Sequence, residues 1–362
     1  MGPLRGMKVV EIASIGPGPF AAMLLADMGA DVIRLHRPGQ DSLLGSTGPD
    51  VVGRGRPSVA VDLKSDTGRE LLLGLIDRAE ALIEGFRPGV MERLGLGPEV
   101  ALARNERLVY GRMTGFGQTG PMAHSAGHDI NYISVAGVLG AIARRGERPL
   151  FPLNLVGDYG GGGMLLAFGI VCGVLEARAS GRGQVIDAAM VDGAALLSTA
   201  THGLRAGGVW SDDPGTNVLD SGAHFYEVYE TSDGGYIAVG AIEPQFYAEL
   251  LLRLDVPAGE APQWEADRWP ELKERFAGIF RARTRAEWAA VFESSDACAT
   301  VVLGLGEAPA HPHNVARGTF VRDQGVLQPA PAPRFSRTPG EIRDCANADE
   351  TLEAWGLTEL VR

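Results

Sequence analysis

One stretch of sequence decides the fold class. It consists of KVVEI (Lys8–Ile12), the turn GPGP at residues 16–19, the apolar run 20–28 and DVIRL at residues 31–35. A short apolar run, a glycine turn, a helical run and a second short apolar run form the βαβ pattern of a parallel sheet. The alternation continues outward, with predicted strands at 59–62, 81–84 and 108–112 and a predicted helix over 67–79. We therefore predict an α/β protein with a Rossmann-like large domain, whose functional loops follow the carboxyl ends of parallel strands.

The second half of the chain has a different pattern. A further strand at 184–187 and a long helix at 190–204 precede the glycine-rich segment 207–222, which is typical of a linker. Two apolar runs, 224–229 and 236–239, then flank Asp233-Gly234-Gly235, which indicates a β-hairpin. The Glu243-Pro244 pair and the Thr284/Glu287 capping box predict two helix starts.

These patterns give the predicted domain boundaries. The prediction comprises a large Rossmann-like domain at 1–188, a linker helix and loop at 189–222, a small α+β domain at 223–308, a return linker at 309–333 and a C-terminal segment at 334–362 that rejoins the large domain. Proline-rich composition is the reason for assigning 309–333 to a linker.

Composition limits the classes of partner. A formal net charge of −12 argues against nucleic acid as the main partner, because phosphate binding needs a basic face, although a local basic cluster could bind one small polyanion. The cysteines have no C-x-x-C spacing, and Cys172, inside an apolar run, is expected in the core. The uncharged run 160–175 is shorter than the roughly 18–20 residues of a membrane span and predicts a buried helix. The N-terminal residues lack the apolar stretch of a signal peptide, so a cytoplasmic protein is expected.

The glycine turn after the first strand raises the question of a nucleotide. Residues 16–21 fit G-x-G-x-x-A, a dinucleotide-binding pattern. The second strand ends in Arg34 and Arg37 rather than in an acidic residue, which suits a phosphate on the ribose, as in NADP or in CoA. Pro17 and Pro19 remove N–H groups that a pyrophosphate would use. A nicotinamide cofactor is therefore disfavoured, and a plain tight turn stays an alternative.

Two titratable groups stand in similar settings thirty residues apart. His128 lies in GHDINY (127–132) and Asp158 in VGD (156–158), and each is beside glycine and ahead of an apolar, helix-like run. Helix N-termini carry unpaired N–H groups that stabilise a developing oxyanion. Two bases with such donors between them are what proton abstraction beside a carbonyl requires. Without further context, a helix cap or core position is an equally ordinary role for either residue.

A larger set of motifs adds a family resemblance. Four motifs in a fixed order resemble the class III (formyl-CoA transferase-like) CoA-transferase superfamily. They are GPGP at 16–19, VDLKS at 61–65, EGFRPG at 84–89 and MTGFG at 113–117. GHDINY and VGD are similar to its α-methylacyl-CoA racemase branch, and the resemblance covers nearly the whole chain. It implies an interlocked, ring-like homodimer whose two long linkers join the domains, with the active site between the large domain of one subunit and the small domain of the other.

The resemblance also implies roles for individual residues. His128 and Asp158 would be the catalytic pair, and Glu243 would orient the histidine from the partner subunit. The residues expected to hold CoA are Arg37, Val61, Asp62, Leu63, Lys64, Gly85, Phe86, Arg87, Arg93, Gly127, Asp129, Ile130, Asn131 and Tyr132.

The implied reaction interconverts (2R)- and (2S)-2-methylacyl-CoA thioesters by proton transfer through an enolate, with the Asp129 N–H as oxyanion donor. CoA is part of the substrate, and no metal, flavin or nicotinamide is required. In the alternative, a CoA-transferase, Asp158 carries the acyl group; related transferases have another residue where His128 stands. A non-catalytic acyl-CoA binder is the third hypothesis. The sequence does not fix the acyl chain.

Overall fold

The computed structural model describes residues 2–39, 48–345 and 347–357. The chain forms two compact units. The first takes in residues 1–137, 152–198 and 316–362, and the second takes in 138–151 and 199–315. Residues 138–151 are thus part of the second unit, and residues 189–198 are part of the first.

A six-stranded parallel sheet organises the first unit, which confirms the predicted α/β class. Its strands are β1 (Lys8–Ile12), β2 (Asp31–His36), β3 (Ser58–Ala60), β4 (Ala81–Glu84), β5 (Val109–Thr114) and β6 (Gln184–Ala189). Their order across the sheet is β3-β2-β1-β4-β5-β6. Because the order reverses between β1 and β4, a crevice opens there at the carboxyl ends of the strands, where ligands bind in this class of sheet.

Helices cover both faces of this sheet. They are α1 (Pro17–Asp27), α2 (Asp66–Ile76), α3 (Val90–Arg93), α4 (Pro98–Arg104), α5 (Asp129–Val135), a π-helix (Leu155–Met164) continued by α7 (Leu165–Ser180), and α8 (Met190–Leu197); α6 (Val138–Ala141) belongs to the second unit. Neighbouring residues of one strand enter opposite cores: Val9 packs in one cluster and Val10 in the other. The central strands β1, β4 and β5 are therefore buried on both sides, which explains their nearly continuous apolar runs.

Glycines let the π-helix lie close to α1 and α8. A Cβ on Gly193 would stand 1.8 Å from the Gly161 carbonyl oxygen, and a Cβ on Gly161 would stand 2.6 Å from the Ala194 nitrogen. A Cβ on Gly163 would lie 2.7 Å from the Pro17 oxygen. The glycine run after Asp158 therefore serves backbone-to-backbone packing, and it fixes the helix that carries Asp158.

The second unit is built on a three-stranded antiparallel sheet. Its elements are α9 (Thr199–Ala206), β7 (Tyr226–Glu230), β8 (Tyr236–Gly240), α10 (Pro244–Arg253), α11 (Trp269–Phe280), α12 (Arg285–Phe292), β9 (Ala299–Val301) and short 3-10 turns at Ala258–Glu260, Ala266–Arg268 and Ala308–Ala310. The predicted hairpin is confirmed by the pairing of β7 with β8, and its turn uses Gly234 at φ +75°. The predicted capping box is confirmed as well, because Thr284 N–H donates to Glu287 Oε2 at 2.8 Å.

Three sequence-based expectations differ from the structure. The single helix predicted at 190–204 is two helices, because Ser198 turns its hydroxyl and its N–H to the Ala195 carbonyl and interrupts the helical ladder. The segment predicted as a return linker contains α13 (Pro312–Arg317) and a hairpin of β10 (Phe320–Asp323) with β11 (Val326–Pro329); the last helix is α14 (Ala348–Ala354). Cys172, expected in the core, is exposed on α7.

The π-helix and α7 form the longest apolar helical stretch in the described part of the chain. Leu155–Ser180 has the length and hydropathy of a membrane span, but half of its most apolar window is buried inside the protein. Leu166, Ile170 and Val174 pack in the core of the first unit. This helix is therefore a core element with a second, exposed face.

Candidate active site

A cleft of about 470 Å³ opens at the carboxyl edge of the parallel sheet, between the loops that follow β1 and β4. Loops after β5 and β6 complete it, so it occupies the crevice that the strand order creates. Its lining includes Ser14, Gly16, Pro17, Gly85, Phe86, Arg87, Thr114, Gly115, Phe116, Gly127, His128, Tyr132, Asn154, Asp158, Tyr159 and Met190. His128 and Asp158 thus face one cavity.

His128 precedes the first turn of α5. Its backbone is extended, at φ −132° and ψ 177°, and its N–H donates to Asn131 Oδ1 at 3.1 Å. The Asn131 N–H in turn donates to the His128 carbonyl at 2.8 Å. Because these contacts fix the backbone, the imidazole is held at the helix start and exposed to the cleft.

The Asp158 carboxyl lies in the first turn of the π-helix, half-buried at the wall of the same cleft. Asn154 Nδ2 donates to Asp158 Oδ2 at 3.0 Å, and Gly16 approaches so closely that a Cβ there would stand 3.0 Å from that oxygen. Burial raises the pKa of Asp158 and the negative charge of Asp129 adds to the rise, while the Asn154 hydrogen bond and the His128 charge oppose it. The net shift is upward, which favours the protonated acid over the carboxylate.

The Asp129 side chain joins the loops that carry the two titratable groups. Its Oδ2 accepts hydrogen bonds from the N–H of Gly157 at 2.6 Å and of Asp158 at 2.8 Å. Among the described residues, none accepts a hydrogen bond from the Asp129 N–H, which lies at the start of α5. That N–H adjoins the His128 backbone, so it is a suitable donor to a developing oxyanion.

A buried charge network holds the loop that follows β4. Glu84, fully buried, accepts a hydrogen bond from the Phe86 N–H at 2.7 Å and another from Arg112 Nε at 2.9 Å. Arg112 also binds Glu92 through two nitrogens, at 2.7 and 3.2 Å. Burial raises the pKa of Glu84, and the Arg112 contacts oppose that rise. The carboxylates of Glu84 and Glu92 thus compensate the charge of Arg112. The hydrogen bond from the Phe86 N–H to Glu84 holds the backbone of the loop 85–87 in place.

Aromatic packing shapes the opposite wall of the cleft. Tyr132 is buried, and its hydroxyl donates to the Gly127 carbonyl. Its ring meets Phe116 edge to face, with centroids 4.9 Å apart. A Cβ on Gly115 would lie 2.1 Å from the Tyr132 ring, so the glycine of the MTGFG motif makes room for the tyrosine.

The structure brings some of the predicted site residues together in this cleft and leaves others outside it. Gly85, Phe86, Arg87, Gly127 and Tyr132 line the cleft with the two proposed catalytic residues. The side chain of Asp129 is buried behind the wall, whereas Ile130 and Asn131 are exposed on α5.

The remaining predicted CoA residues lie along neighbouring strand ends. Arg37 follows β2, and Val61 to Lys64 follow β3, at the same edge of the sheet. Val61 and Asp62 line a separate depression of about 290 Å³, and Arg93 ends α3. Glu243 belongs to the second unit, where it caps α10. The roles of all these residues stay predictions.

Sequence reasoning did not single out three residues of the cleft. Ser14, Asn154 and Tyr159 contribute polar atoms to its lining, and Asn154 contacts Asp158 directly. Asn154 immediately precedes the π-helix, four residues before Asp158. Asparagine just ahead of an apolar helical run is a recognisable N-cap signal. Within the described ranges, no group of three or more His, Cys, Asp or Glu side chains is arranged for a metal ion.

Comparison with known proteins gives consistent results. The sequence model of CoA-transferase family III matches residues 4–346. Over 355 residues, the chain is 48% identical to a protein of Mus musculus named alpha-methylacyl-CoA racemase, covering 97% of this chain and 92% of that protein. The protein of the same name in Homo sapiens is 46% identical over 338 residues, which is 93% of this chain and 87% of that protein. A crystal structure of a CAIB/BAIF family protein from Brucella suis superposes with a TM-score of 0.81 at 25% identity, covering 99% of this chain and all of that one.

Proposed function

The chain belongs to CoA-transferase family III, and from that premise we propose that it is an isomerase that interconverts (2R)- and (2S)-2-methylacyl-CoA thioesters. The observation that carries the proposal is the presence of an exposed imidazole, His128, and a half-buried carboxyl, Asp158, on one cleft. Inversion at a carbon acid needs a base on one face of that carbon and an acid on the other.

The chemistry follows from these two groups. With one enantiomer, the neutral imidazole of His128 takes the proton from the α-carbon, and the electron pair of that C–H bond forms the enolate with its charge on the thioester oxygen. The Asp129 N–H stabilises that oxygen. The protonated Asp158 carboxyl then donates its proton to the opposite face of the carbon, which leaves a carboxylate and an imidazolium.

The reverse direction uses the same groups with exchanged roles. The Asp158 carboxylate takes the proton, and the imidazolium of His128 returns one. An upward-shifted pKa of Asp158 supports this exchange, because it brings the acid strength of the carboxyl closer to that of an imidazolium. Positioned acid–base groups of this kind contribute about 10²–10⁴-fold each.

The CoA portion of the substrate would follow the carboxyl edge of the sheet. Arg87 offers a cation in the cleft itself, and Arg37, Lys64 and Arg93 offer further cations on nearby loops. Such cations suit the phosphates of CoA. The proposed reaction needs no metal, flavin or nicotinamide, since the thioester and the two side chains supply every proton and electron pair.

We also propose that the protein is a cytoplasmic homodimer. On α7, Phe168 is 66% exposed and Leu175 71% exposed, and Leu196 on α8 is exposed as well. Monomeric proteins rarely leave such a set of apolar side chains to water, so this face of the first unit suits a second copy. Three free cysteines agree with a reducing compartment. Glu243 would orient His128 from that second copy.

Deuterium exchange tests the proposal. Wild-type protein in heavy water is expected to exchange the α-proton of a 2-methylacyl-CoA, and His128→Ala and Asp158→Ala are each expected to lose racemisation. Full racemisation by either variant would refute the assignment. Native mass measurement tests the assembly, with twice the 38.2 kDa chain mass expected.

The same cleft has one competing use, transfer of CoA with Asp158 as acyl carrier. Trapping of an Asp158 acyl adduct by hydroxylamine, with turnover dependent on a free carboxylic acid, would favour the transferase.

A further inference from the structure

Asp129 is buried although it adjoins an exposed histidine. Its relative exposure is 5%, and its two carboxylate oxygens have different environments. Oδ2 accepts the Gly157 N–H at 2.6 Å and the Asp158 N–H at 2.8 Å, whereas Oδ1 is buried without a hydrogen-bond partner among the described residues. A buried carboxylate with one unpaired oxygen is costly, so a compensating benefit is expected.

The two donors are groups that the π-helix cannot satisfy itself. Gly157 and Asp158 are its third and fourth residues, and the first N–H groups of a helix have no partner within it. The Asp129 carboxylate therefore fixes the backbone of Asp158 from the first turn of α5. A Cβ on Gly157 would lie 2.5 Å from Asp129 Oδ2, so the contact requires glycine at 157.

From this geometry we infer that the Asp129 carboxylate is a positioning residue, which sets the distance between the Asp158 carboxyl and the imidazole of the adjacent His128. The inference rests on the proposed racemase function and deepens it. The side chain of Asp129 does not line the cleft, so it acts through the Asp158 backbone rather than on the substrate. It links the loop of His128 to the loop of Asp158, and the two side chains must keep a fixed distance and orientation during proton transfer.

The charge of Asp129 gives the contact a second effect. Burial is the main cause of the raised pKa of Asp158, and the negative charge of Asp129 raises that pKa further. The other titratable groups of the cleft are His128, which precedes α5, Tyr132 on α5, Tyr159 on the π-helix and Arg87 in the loop after β4. Asn154 is a neutral donor, and the cleft residues Pro17 and Met190, from α1 and α8, carry no charge. Removal of the Asp129 charge is therefore expected to lower the pKa of Asp158.

Two substitutions separate position from charge. Asp129→Asn keeps an oxygen that accepts both N–H groups but removes the charge, and Asp129→Ala removes both. We expect Asp129→Ala to lower kcat about 10²-fold with KM changed less than about threefold, since a misplacement of roughly 1 Å costs that much. Asp129→Asn is expected to keep kcat within about tenfold of wild type. With the enantiomer from which Asp158 takes the proton, the acid limb of its kcat/KM profile is expected at lower pH, because that limb then reports Asp158.

The matched control is Asp233→Ala. Asp233 also accepts a backbone N–H at a helix start, that of Arg285 at 3.0 Å, but it lines no part of the cleft. This variant is expected to keep the wild-type kcat and pH profile. Thermal unfolding and CoA binding of each variant measure folding separately from catalysis.

The outcomes distinguish the inference from the proposed function. If wild-type protein fails to exchange the α-proton of any 2-methylacyl-CoA, the proposed function fails and the inference fails with it. If wild type exchanges and Asp129→Ala retains wild-type kcat, the inference alone is overturned. Equal losses in Asp129→Ala and Asp129→Asn, with KM raised in both, would also overturn it. Should Asp129→Ala not fold, an unshifted acid limb in Asp129→Asn would contradict the inference.

Discussion

At the scale of single residues, the environment of Asp158 decides its chemistry. Burial and the nearby Asp129 charge raise the pKa of Asp158, while a single side-chain hydrogen bond, from Asn154, stabilises the ionised form. Pro17, which lines the same cleft at the start of α1, has no N–H to donate. The upward shift of the Asp158 pKa is in the direction that proton donation by a carboxyl requires.

Gly157 gives the sharpest test at this scale. Gly157→Ala would bring a Cβ within 2.5 Å of Asp129 Oδ2 and 2.9 Å of its Cγ, so the carboxylate must move from the Asp158 N–H. We expect kcat to fall about 10²-fold, because the proposed catalytic pair is displaced, and the free energy of unfolding to fall by about 1–3 kcal/mol. Steady-state kinetics and urea unfolding measure the two effects.

Gly278→Ala is the matched control. This glycine is inside helix α11, and apart from the backbone of that helix and the neighbouring residues, no atom of the described part of the chain lies within 4 Å of the added Cβ. Alanine there is expected to raise stability by about 0.5–1 kcal/mol with unchanged kcat. A Gly157→Ala variant that behaved like this control would show that the Asp129 contact does not matter.

Sequence motifs indicated His128 and Asp158 as candidate site residues, but they did not indicate the contact that links their two loops. The motif GHDINY gave no indication that the carboxylate in its middle turns inward to the backbone of residues 157 and 158. Local sequence predicts that a residue caps the helix directly after it. It does not predict that Asp129, at the start of α5, caps the π-helix nearly thirty residues later, because that contact depends on the packing of α5 against the π-helix.

At the scale of elements, the parallel strands and the hairpin were predicted because their signals are local. Apolar runs between glycine turns identified the strands, and Asp233-Gly234 identified the turn between β7 and β8. The π-helix was missed because its conformation depends on contacts across elements, such as that of Gly161 with Gly193. The break at Ser198 was missed for a related reason, since serine is tolerated inside helices.

The loop after β4 depends on a buried ion network and gives the prediction at this scale. Arg112→Ala would leave the fully buried Glu84 without its cation. We expect the free energy of unfolding to fall by about 3–5 kcal/mol, since an uncompensated buried charge is expensive. Urea denaturation measures the change.

Arg178→Ala is the comparison for this network. Arg178 pairs with Glu80 at 2.7 Å, but the arginine side chain is 53% exposed. Solvent screening limits such a pair to about 1 kcal/mol or less. Equal losses for Arg112→Ala and Arg178→Ala would contradict a structural role for the buried network.

At the scale of the whole molecule, the exposed face of α7 could not be predicted from sequence. The glycine-, alanine- and leucine-rich composition of residues 165–180 indicates burial, yet Phe168, Cys172 and Leu175 face outward in the single chain. Hydropathy records how much apolar surface a helix has, not whether the same chain or another one covers it. The core clusters on the two faces of the sheet, in contrast, follow directly from strand alternation.

Stability as a function of pH depends on a histidine outside the cleft. His224 is fully buried and contacts the Tyr247 hydroxyl at 2.7 Å; burial lowers its pKa to about 4, and the Arg268 charge contributes. Between about pH 6.5 and pH 4 the unfolded chain therefore binds a proton that the folded chain does not, so stability falls as pH falls through that window. The loss from this group between pH 7 and pH 5 is about 2 kcal/mol.

Urea unfolding at several pH values tests this assignment. His224→Gln is expected to reduce the loss of stability between pH 7 and pH 5 by about that 2 kcal/mol, whatever its stability at pH 7. His202→Gln, at an exposed position of α9, is the control and is expected to keep the wild-type slope. A wild-type slope in His224→Gln would exclude His224 as the group responsible.

The most direct test of the proposed catalysis is a stereochemical exchange measurement. Each enantiomer of a 2-methylacyl-CoA is incubated with wild-type protein in heavy water, and deuterium content and configuration at C2 are followed together. We expect the inverted product to appear from both enantiomers with one deuterium at C2, because the acid that reprotonates the second face has equilibrated with solvent. Inverted product with no solvent deuterium, or deuterium uptake with complete retention from both enantiomers, would contradict a His128–Asp158 pair acting on opposite faces of one carbon.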